Sequence, residues 1–164
     1  MNLSTRIRVL KEADREKLQF ILVATGAFVP AEIDVAMELI DIFLRNPGQK
    51  DYMIHCAVDD RDQPLGYVCH GPVPMTEGTF DLYWIAVSPD SQGLGIGSKL
   101  IEFLNETIRS QSGRMILADT ASVASYQKTH RFYESNGFRE VARVPDYYHQ
   151  GNDRITYCKR LDYA

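Results

Sequence analysis

A chain of 164 residues, 45% hydrophobic and 24% charged, has the size and make-up of one globular domain with a sizeable core. Its net charge of -4 argues against a nucleic-acid surface, which needs clustered Lys and Arg. No apolar run approaches the roughly 20 residues of a membrane span, and the start MNLSTRIRVLKEADREK turns charged at once, unlike a secretory signal.

Residues 7–10 read as a short strand. Over 12–25, Leu18, Ile21 and Leu22 recur at helical spacing, and Gly26 supplies a stop. Pro30 suits the start of a second helix, because the N–H it lacks would be unpaired there anyway. The inward stripe of that helix is Ile33, Ala36, Met37, Ile40, Phe43 and Leu44. Residues 52–58 and 65–69 form a hairpin around the acidic turn 59–62. Residues 71–78, with two prolines and two glycines, read as a loop. TFDLYWIAV, residues 79–87, is the strongest strand, and its nearly continuous apolar second half predicts a central strand covered on both faces.

A glycine-rich segment then leads into a helix over about 97–109. A strand at 115–118 and a helix at 125–135 follow, and Gly137 is placed to release that helix in the left-handed conformation. Strands near 138–144 and 154–159 finish the chain. The pattern predicts one mixed α/β domain over 1–164, with a mostly antiparallel central sheet and flanking helices. The strand–helix–strand run over 81–120 supplies a local parallel pair. Cys56, Cys69, Cys158 and four scattered histidines lack metal-ligand spacing, so reduced thiols, a cytoplasmic location and no metal are expected. His70 is expected to be an ordinary hydrogen-bonded histidine.

The informative stretch is Gln92-Gly93-Leu94-Gly95-Ile96-Gly97, set directly between the central strand and a helix. Glycine lets the backbone turn sharply and keeps side chains away, so successive N–H groups converge on phosphate oxygens. The helix start adds four unpaired amides and a positive dipole end. A pyrophosphate is the natural occupant. There is no Gly-Lys-Ser/Thr ending for a nucleoside-triphosphate loop, and the surroundings are not the parallel repeats of a dinucleotide fold.

This segment resembles the central motif of the GNAT superfamily of N-acetyltransferases, Q/R-x-x-G-x-G/A, with Gln92, Gly95 and Gly97 at its defining positions. A second block, HRFYESNGF at 130–138, resembles the family pattern that ends FYxxxGF, with Phe132, Tyr133, Gly137 and Phe138 in place. The resemblance implies the acyl-CoA N-acyltransferase fold and acetyl-CoA as cosubstrate. It also implies direct attack by a primary amine in a ternary complex. Gln92, Gly93, Leu94, Gly95, Ile96, Gly97 and Ser98 would hold the pyrophosphate, and Ile85, Ala86 and Val87 would pair with the pantetheine arm. Tyr133 falls on the family's catalytic tyrosine. Asp81 lies at the level where some relatives carry a glutamate base, with Glu77 and Glu32 as alternatives.

The chain departs from the family at 120–125, where many relatives carry an asparagine; here Ser122 and Ser125 are expected to cap the next helix. Acceptor choice is expected from residues 27–32, 71–78 and 145–153, the last with Asp146, Tyr147, Tyr148 and His149. A small-molecule amine is the favoured acceptor, and a protein or peptide amine the other. Neither nucleic acid nor membrane is expected as a partner, and a homodimer is compatible with the resemblance. A non-catalytic acyl-CoA sensor would carry the same glycine loop; a role for Tyr133 and an acceptor-side acid in transfer separates the two.

Overall fold

Pro30 at the first helical position, and the Glu32 carboxylate accepting the Val29 N–H at 2.8 Å, fix where the longest helix begins. That helix presents Ala36, Met37, Ile40 and Phe43 on one side, the 3.6-residue periodicity expected of a core-facing face. Residues 5–161 are described by the computed structural model, and none of their helices is long and apolar enough to cross a membrane. The elements are β1 (Arg6–Val9), α1 (Arg15–Ala24), α2 (Pro30–Arg45), β2 (Met53–Val58), β3 (Pro64–Pro72) and β4 (Thr79–Val87). After them come α3 (Ile96–Ser110), β5 (Met115–Ala121), α4 (Gln127–Ser135), β6 (Arg139–His149) and β7 (Asn152–Arg160).

The strands order as β1-β2-β3-β4-β5-β7-β6. β4 and β5 run parallel, whereas β1–β2, β2–β3, β5–β7 and β7–β6 are antiparallel. The sheet is therefore mixed and mostly antiparallel, as the sequence pattern predicts. Contacts divide the described residues into two compact units, one of 5–71 with 84–104 and one of 72–83 with 105–161. Both β4 and α3 contribute residues to each.

In the first unit, Leu18, Ile21 and Leu22 of α1 and the α2 stripe bury against Ile54, Cys56, Tyr67 and Cys69 of the β2–β3 hairpin. The buried Asp14 carboxylate takes two bonds from Arg8, at 2.7 and 2.9 Å, and one from the Lys11 N–H at 2.8 Å. Arg8 also reaches Asp62 in the β2–β3 turn at 2.6 Å. A buried carboxylate is tolerated only when paired in this way.

In the second unit, β5 and β7 bury one face through Ile116, Ala118, Thr120, Ile155 and Tyr157. Leu117, Asp119, Thr156 and Cys158 on the other face stay partly or fully exposed. The alternation is that of strands with a single covered face.

Three expectations need correction. β3, β5 and β6 each run past their expected ends, to Pro72, Ala121 and His149. β6 continues because the Asp153 carboxylate accepts the Asp146 N–H at 3.0 Å while the Asp146 carboxylate accepts the Gly151 N–H at 2.7 Å. Side chains thus carry the strand through an irregularity that reads in sequence as a loop. The second half of β4 is not covered on both faces: Tyr83 is 43% exposed, and Trp84, Ile85 and Val87 are only half-buried.

His70 is not hydrogen-bonded. Its ring is buried and stacks on His55 with centroids 5.6 Å apart, and neither of its ring nitrogens has a partner among the described residues. Burial pulls the His70 pKa down to about 4, with the neighbouring His55 adding to the effect, and burial lowers His55 as well. Unfolded imidazole takes a proton near about pH 6.5, so below that pH the unfolded chain binds more protons than the folded one. The stability contributed by the neutral pair is complete above that range and is lost as pH falls toward 4. Urea midpoints are expected to drop between neutral pH and pH 5, and His70→Leu to flatten that drop. An unchanged acid slope in the variant would show that the pair is not its source.

Candidate active site

The turn after β4 is built from a close strand contact and two glycines. A Cβ on Gly66 of β3 would lie 2.6 Å from the Ala86 carbonyl oxygen and 3.1 Å from Val87 Cα, so only glycine lets β3 approach this part of β4. The buried Ser88 continues that pairing, donating its N–H to the Leu65 carbonyl at 2.8 Å. The Gln92 side-chain amide then reaches back to the Val87 carbonyl at 3.2 Å and braces the turn on the strand.

Gly93 and Gly95 take φ of +77° and +79°, in the left-handed region, and a Cβ added at either would meet nothing within 4 Å. Among the described residues, no acceptor is bonded to the N–H groups of Gly93, Leu94 or Gly95. Lys99 N donates to Gly95 O at 3.0 Å as α3 begins, which leaves the preceding amides of the first turn outside the helical ladder. No acidic residue occurs in that turn. Open space, unpaired donors and a positive helix end fit a pyrophosphate. Ile85, Ala86 and Val87 lie on the strand leading into this turn, and Leu94, Ser98 and Lys99 are exposed on it.

Asp81 and Tyr133 both belong to the second unit. Asp81 pairs with Leu117 across the parallel β4–β5 ladder, so its side chain shares a face with Leu117 and Asp119. Burial, with Asp119 second, raises the Asp81 pKa above the usual carboxylate range. Asp119 escapes a motif search, although alternation along MILADTA puts it on the face of Leu117. It is held by the Thr156 hydroxyl at 2.6 Å.

Tyr133 sits on the opposite face. Its ring lies 5.7 Å from that of Tyr157, which pairs with Ala118. The FYxxxGF pattern has a clear local cause here. Phe138 N donates to Tyr133 O at 3.0 Å and Gly137 N to Glu134 O at 3.1 Å, with Gly137 at φ +85°. This is a Schellman cap, and the Tyr133–Phe138 ring contact at 5.1 Å is its usual apolar partner. The ring is therefore structural. The hydroxyl is not used by the cap, and burial pushes its pKa well above the ordinary tyrosine value.

Other expected residues have structural engagements. Glu32 caps α2, and the Glu77 carbonyl accepts from Arg114 at 2.8 Å. Ser122 accepts the Asp153 N–H at 2.8 Å and donates its own N–H to Asn152 at 3.1 Å, so it holds the start of β7 and does not cap the helix. Ser125 lies in the short helical turn before α4, whose N-cap is Val123. The Tyr147 ring is covered by the Arg154 guanidinium at 4.6 Å and is already supplied with a cation. Phe28, in the 27–32 connection, packs edge-on against Trp84 of β4 at 5.2 Å. Residues 73–78 precede β4, at the end away from the glycine turn.

A family model described as the acetyltransferase (GNAT) domain matches residues 50–140. The chain belongs to the GNAT acetyltransferase family. A protein described as a GNAT-family acetyltransferase from Desulfovibrio desulfuricans is 38% identical, with a TM-score of 0.87 over 97% of this chain and 99% of its own. The GNAT fold is also shared with aminoglycoside 6'-acetyltransferase type Ii, at 21% identity and TM-score 0.77 over 97% and 99% of the two chains. An aminoglycoside 6'-N-acetyltransferase complexed with coenzyme A is similar at 17% identity and TM-score 0.73, over 97% and 98%. No curated protein matches the sequence.

Gly95→Val puts a β-branched side chain at φ +79°, a left-handed conformation that strains it and shifts the loop backbone. Coenzyme A affinity is expected to fall about tenfold or more while the variant stays folded. Unchanged affinity by calorimetry would remove the loop from the donor site.

Proposed function

We propose that the chain is an acetyl-CoA-dependent N-acetyltransferase that acylates a primary amine, probed best with small molecules, by direct attack in a ternary complex. Residues 1–164 act as one catalytic domain in this reading. The observation that carries it is the turn 92–97, with its open, unpaired donors in a chain of the GNAT family. Two neighbours of the same fold are named aminoglycoside acetyltransferases, one of them with coenzyme A, which supports a small amine acceptor. A protein or peptide amine is the second acceptor class. The three free cysteines suit a reducing cytoplasm.

The N–H groups of Gly93 to Ser98 hold the pyrophosphate in this reading, with Gln92 fixing the turn and Ile85–Val87 offering backbone groups to the pantetheine arm. Acetyl-CoA supplies an acetyl group activated as a thioester. A backbone N–H of β4 polarises the thioester carbonyl, as oriented donors do where negative charge develops. An amine arrives as an ammonium ion and must lose a proton before it can attack. Asp81 takes that proton, and its raised pKa makes it a stronger base than an exposed aspartate. Asp119 on the same face adds negative charge that attracts the ammonium.

Tyr133 serves the leaving sulfur. The hydroxyl is protonated at neutral pH and can pass its proton to the departing thiolate, although burial, by raising its pKa, makes it a weaker acid than an exposed tyrosine. Nitrogen and sulfur are bonded to one carbon in the tetrahedral intermediate, so this reading requires that Asp81 and Tyr133, on opposite faces of the strands, both reach that centre, directly or through water.

The test is mass detection of acetylated product from a panel of amines, with acetyl-CoA as donor. A specific product establishes transfer, whereas saturable coenzyme A binding without product on small-molecule and peptide panels favours the acyl-CoA sensor. Tyr133→Phe is expected to lower kcat about 100-fold with stability and coenzyme A affinity nearly unchanged, because the cap needs only the ring. Loss of folding and binding together would assign Tyr133 to structure alone. In wild type, kcat/KM should fall as pH drops through a carboxylate pKa above the ordinary range. Asp81→Asn should remove that acid limb and reduce the rate about 100-fold or more; a limb that survives the substitution belongs to another group.

A further inference from the structure

Tyr147, in the late segment expected to choose the acceptor, is covered by a cation of the chain itself, and that cation lies on the face of the acceptor-side acids. Arg154 pairs with Ala121 on β5, two residues beyond the Asp119–Thr156 pair, and Asp81 pairs with Leu117, two residues before it. Alternation therefore puts Asp81, Asp119 and Arg154 on one face of β4, β5 and β7, all within the second unit. The order along that face is acid, acid, base.

The Arg154 guanidinium is not neutralised in place. Its Nε is buried without a hydrogen-bond partner among the described residues, and Asp119 Oδ2 lies 3.9 Å away, beyond hydrogen-bond reach. Asp119 Oδ1 already accepts the Thr156 hydroxyl at 2.6 Å. What holds the guanidinium is the Tyr147 ring, with Cζ 4.6 Å from the ring centroid. Arg143, on the opposite face of the same hairpin, is instead bonded to Glu140 and Asp153. A guanidinium fixed by its face keeps its planar fork of N–H donors for a carboxylate.

The spacing selects the ligand. Two residues of strand cover about 7 Å, the step from the level of Asp81 to that of Asp119, against which the guanidinium lies. In an α-amino acid the nitrogen and a carboxylate oxygen are roughly 3 Å apart, and a hydrogen bond of about 2.8 Å at each end lets it cover that step. Ammonium at the acids and carboxylate at Arg154 give complementary charges at both ends. An acceptor with several amines would set a second positive charge against Arg154, which the site disfavours.

We propose that Arg154 determines acceptor specificity and that the acceptor is an α-amino acid, whose carboxylate Arg154 holds while Asp81 takes the proton from its ammonium group. This assignment rests on the acetyl-transfer reading and adds the class of amine to it. Once deprotonated, the nitrogen bonds to the acetyl carbon as the C–S bond breaks. The products are an N-acetylamino acid and coenzyme A, whose thiolate takes up a proton.

The common α-amino acids are to be compared with their carboxamides, which keep the amine and side chain but lose the anion. One readout is acetyl transfer, resolved into kcat and KM; the other is calorimetric binding to the coenzyme A-loaded protein, which needs no turnover. The accepted amino acid should exceed its carboxamide about 100-fold in kcat/KM and in affinity. Arg154→Gln should bring the amino acid down to the level of its carboxamide, chiefly through KM. Arg154→Lys should recover part of the difference, and thermal midpoints check the folding of both variants. Equal use of amino acid and carboxamide by the wild type would overturn the proposal while leaving acetyl transfer intact. So would an equal loss of both in Arg154→Gln, which would give the arginine a structural role. Arg154-dependent amino-acid binding without product would support the recognition and contradict acetyl transfer, whereas no binding of any α-amino acid would overturn the proposal.

Discussion

A row of backbone N–H groups with nothing among the described residues to accept from them is the constraint on which the rest of this structure turns. The N–H groups of Gly93, Leu94 and Gly95 are bonded to no acceptor among the described residues, and the first turn of α3 adds more such donors. Such groups are stable at a surface because water serves them, but they are worth far more to an anion held by several at once. Everything nearby serves to present them. Gly66 lets β3 close on β4, Ser88 extends that pairing, and Gln92 ties the turn to the end of the strand. The buried core of α1, α2, β2 and β3 supplies the rigid base, and the Arg8–Asp14–Asp62 network ties β1 to it.

The second unit carries Asp81 and Tyr133 on opposite faces of its strands. Alternation along β5 sends Leu117 and Asp119 to one face and Ala118 to the other. Asp81 follows the first and the Tyr133 ring packs on the second. Both pKa values are raised chiefly by burial. The same cause makes the carboxylate a stronger base and the phenol a weaker acid than their exposed counterparts.

Periodicity and glycine placement made most of this legible in the sequence. The stripe on α2, the parallel strand–helix–strand unit and the left-handed Gly137 are local features, and local chemistry decides them. Four features were not legible. β6 runs on to His149 only because the Asp153 carboxylate accepts the Asp146 N–H and the Asp146 carboxylate accepts the Gly151 N–H across the hairpin. His70 looked like a satisfied polar residue, yet its cross-strand stack with His55 leaves its nitrogens unbonded. The apolar end of β4 read as doubly buried, but its half-exposed Trp84, Ile85 and Val87 show that hydrophobicity marks surface to be covered without saying what covers it. Asp119 was missed because a single acid in a short strand carries no motif, and only the pairing of β5 brings it beside Asp81.

The central claim is that the turn 92–97 recognises a pyrophosphate, and calorimetric titration with coenzyme A and with pantetheine tests it most directly. Both ligands carry the arm assigned to Ile85–Val87, but only coenzyme A carries the anion. Losing several charge-assisted bonds at once should weaken pantetheine about 100-fold or more relative to coenzyme A. Equal affinities would mean that the arm alone is bound, and that the open donors of the glycine turn serve something else.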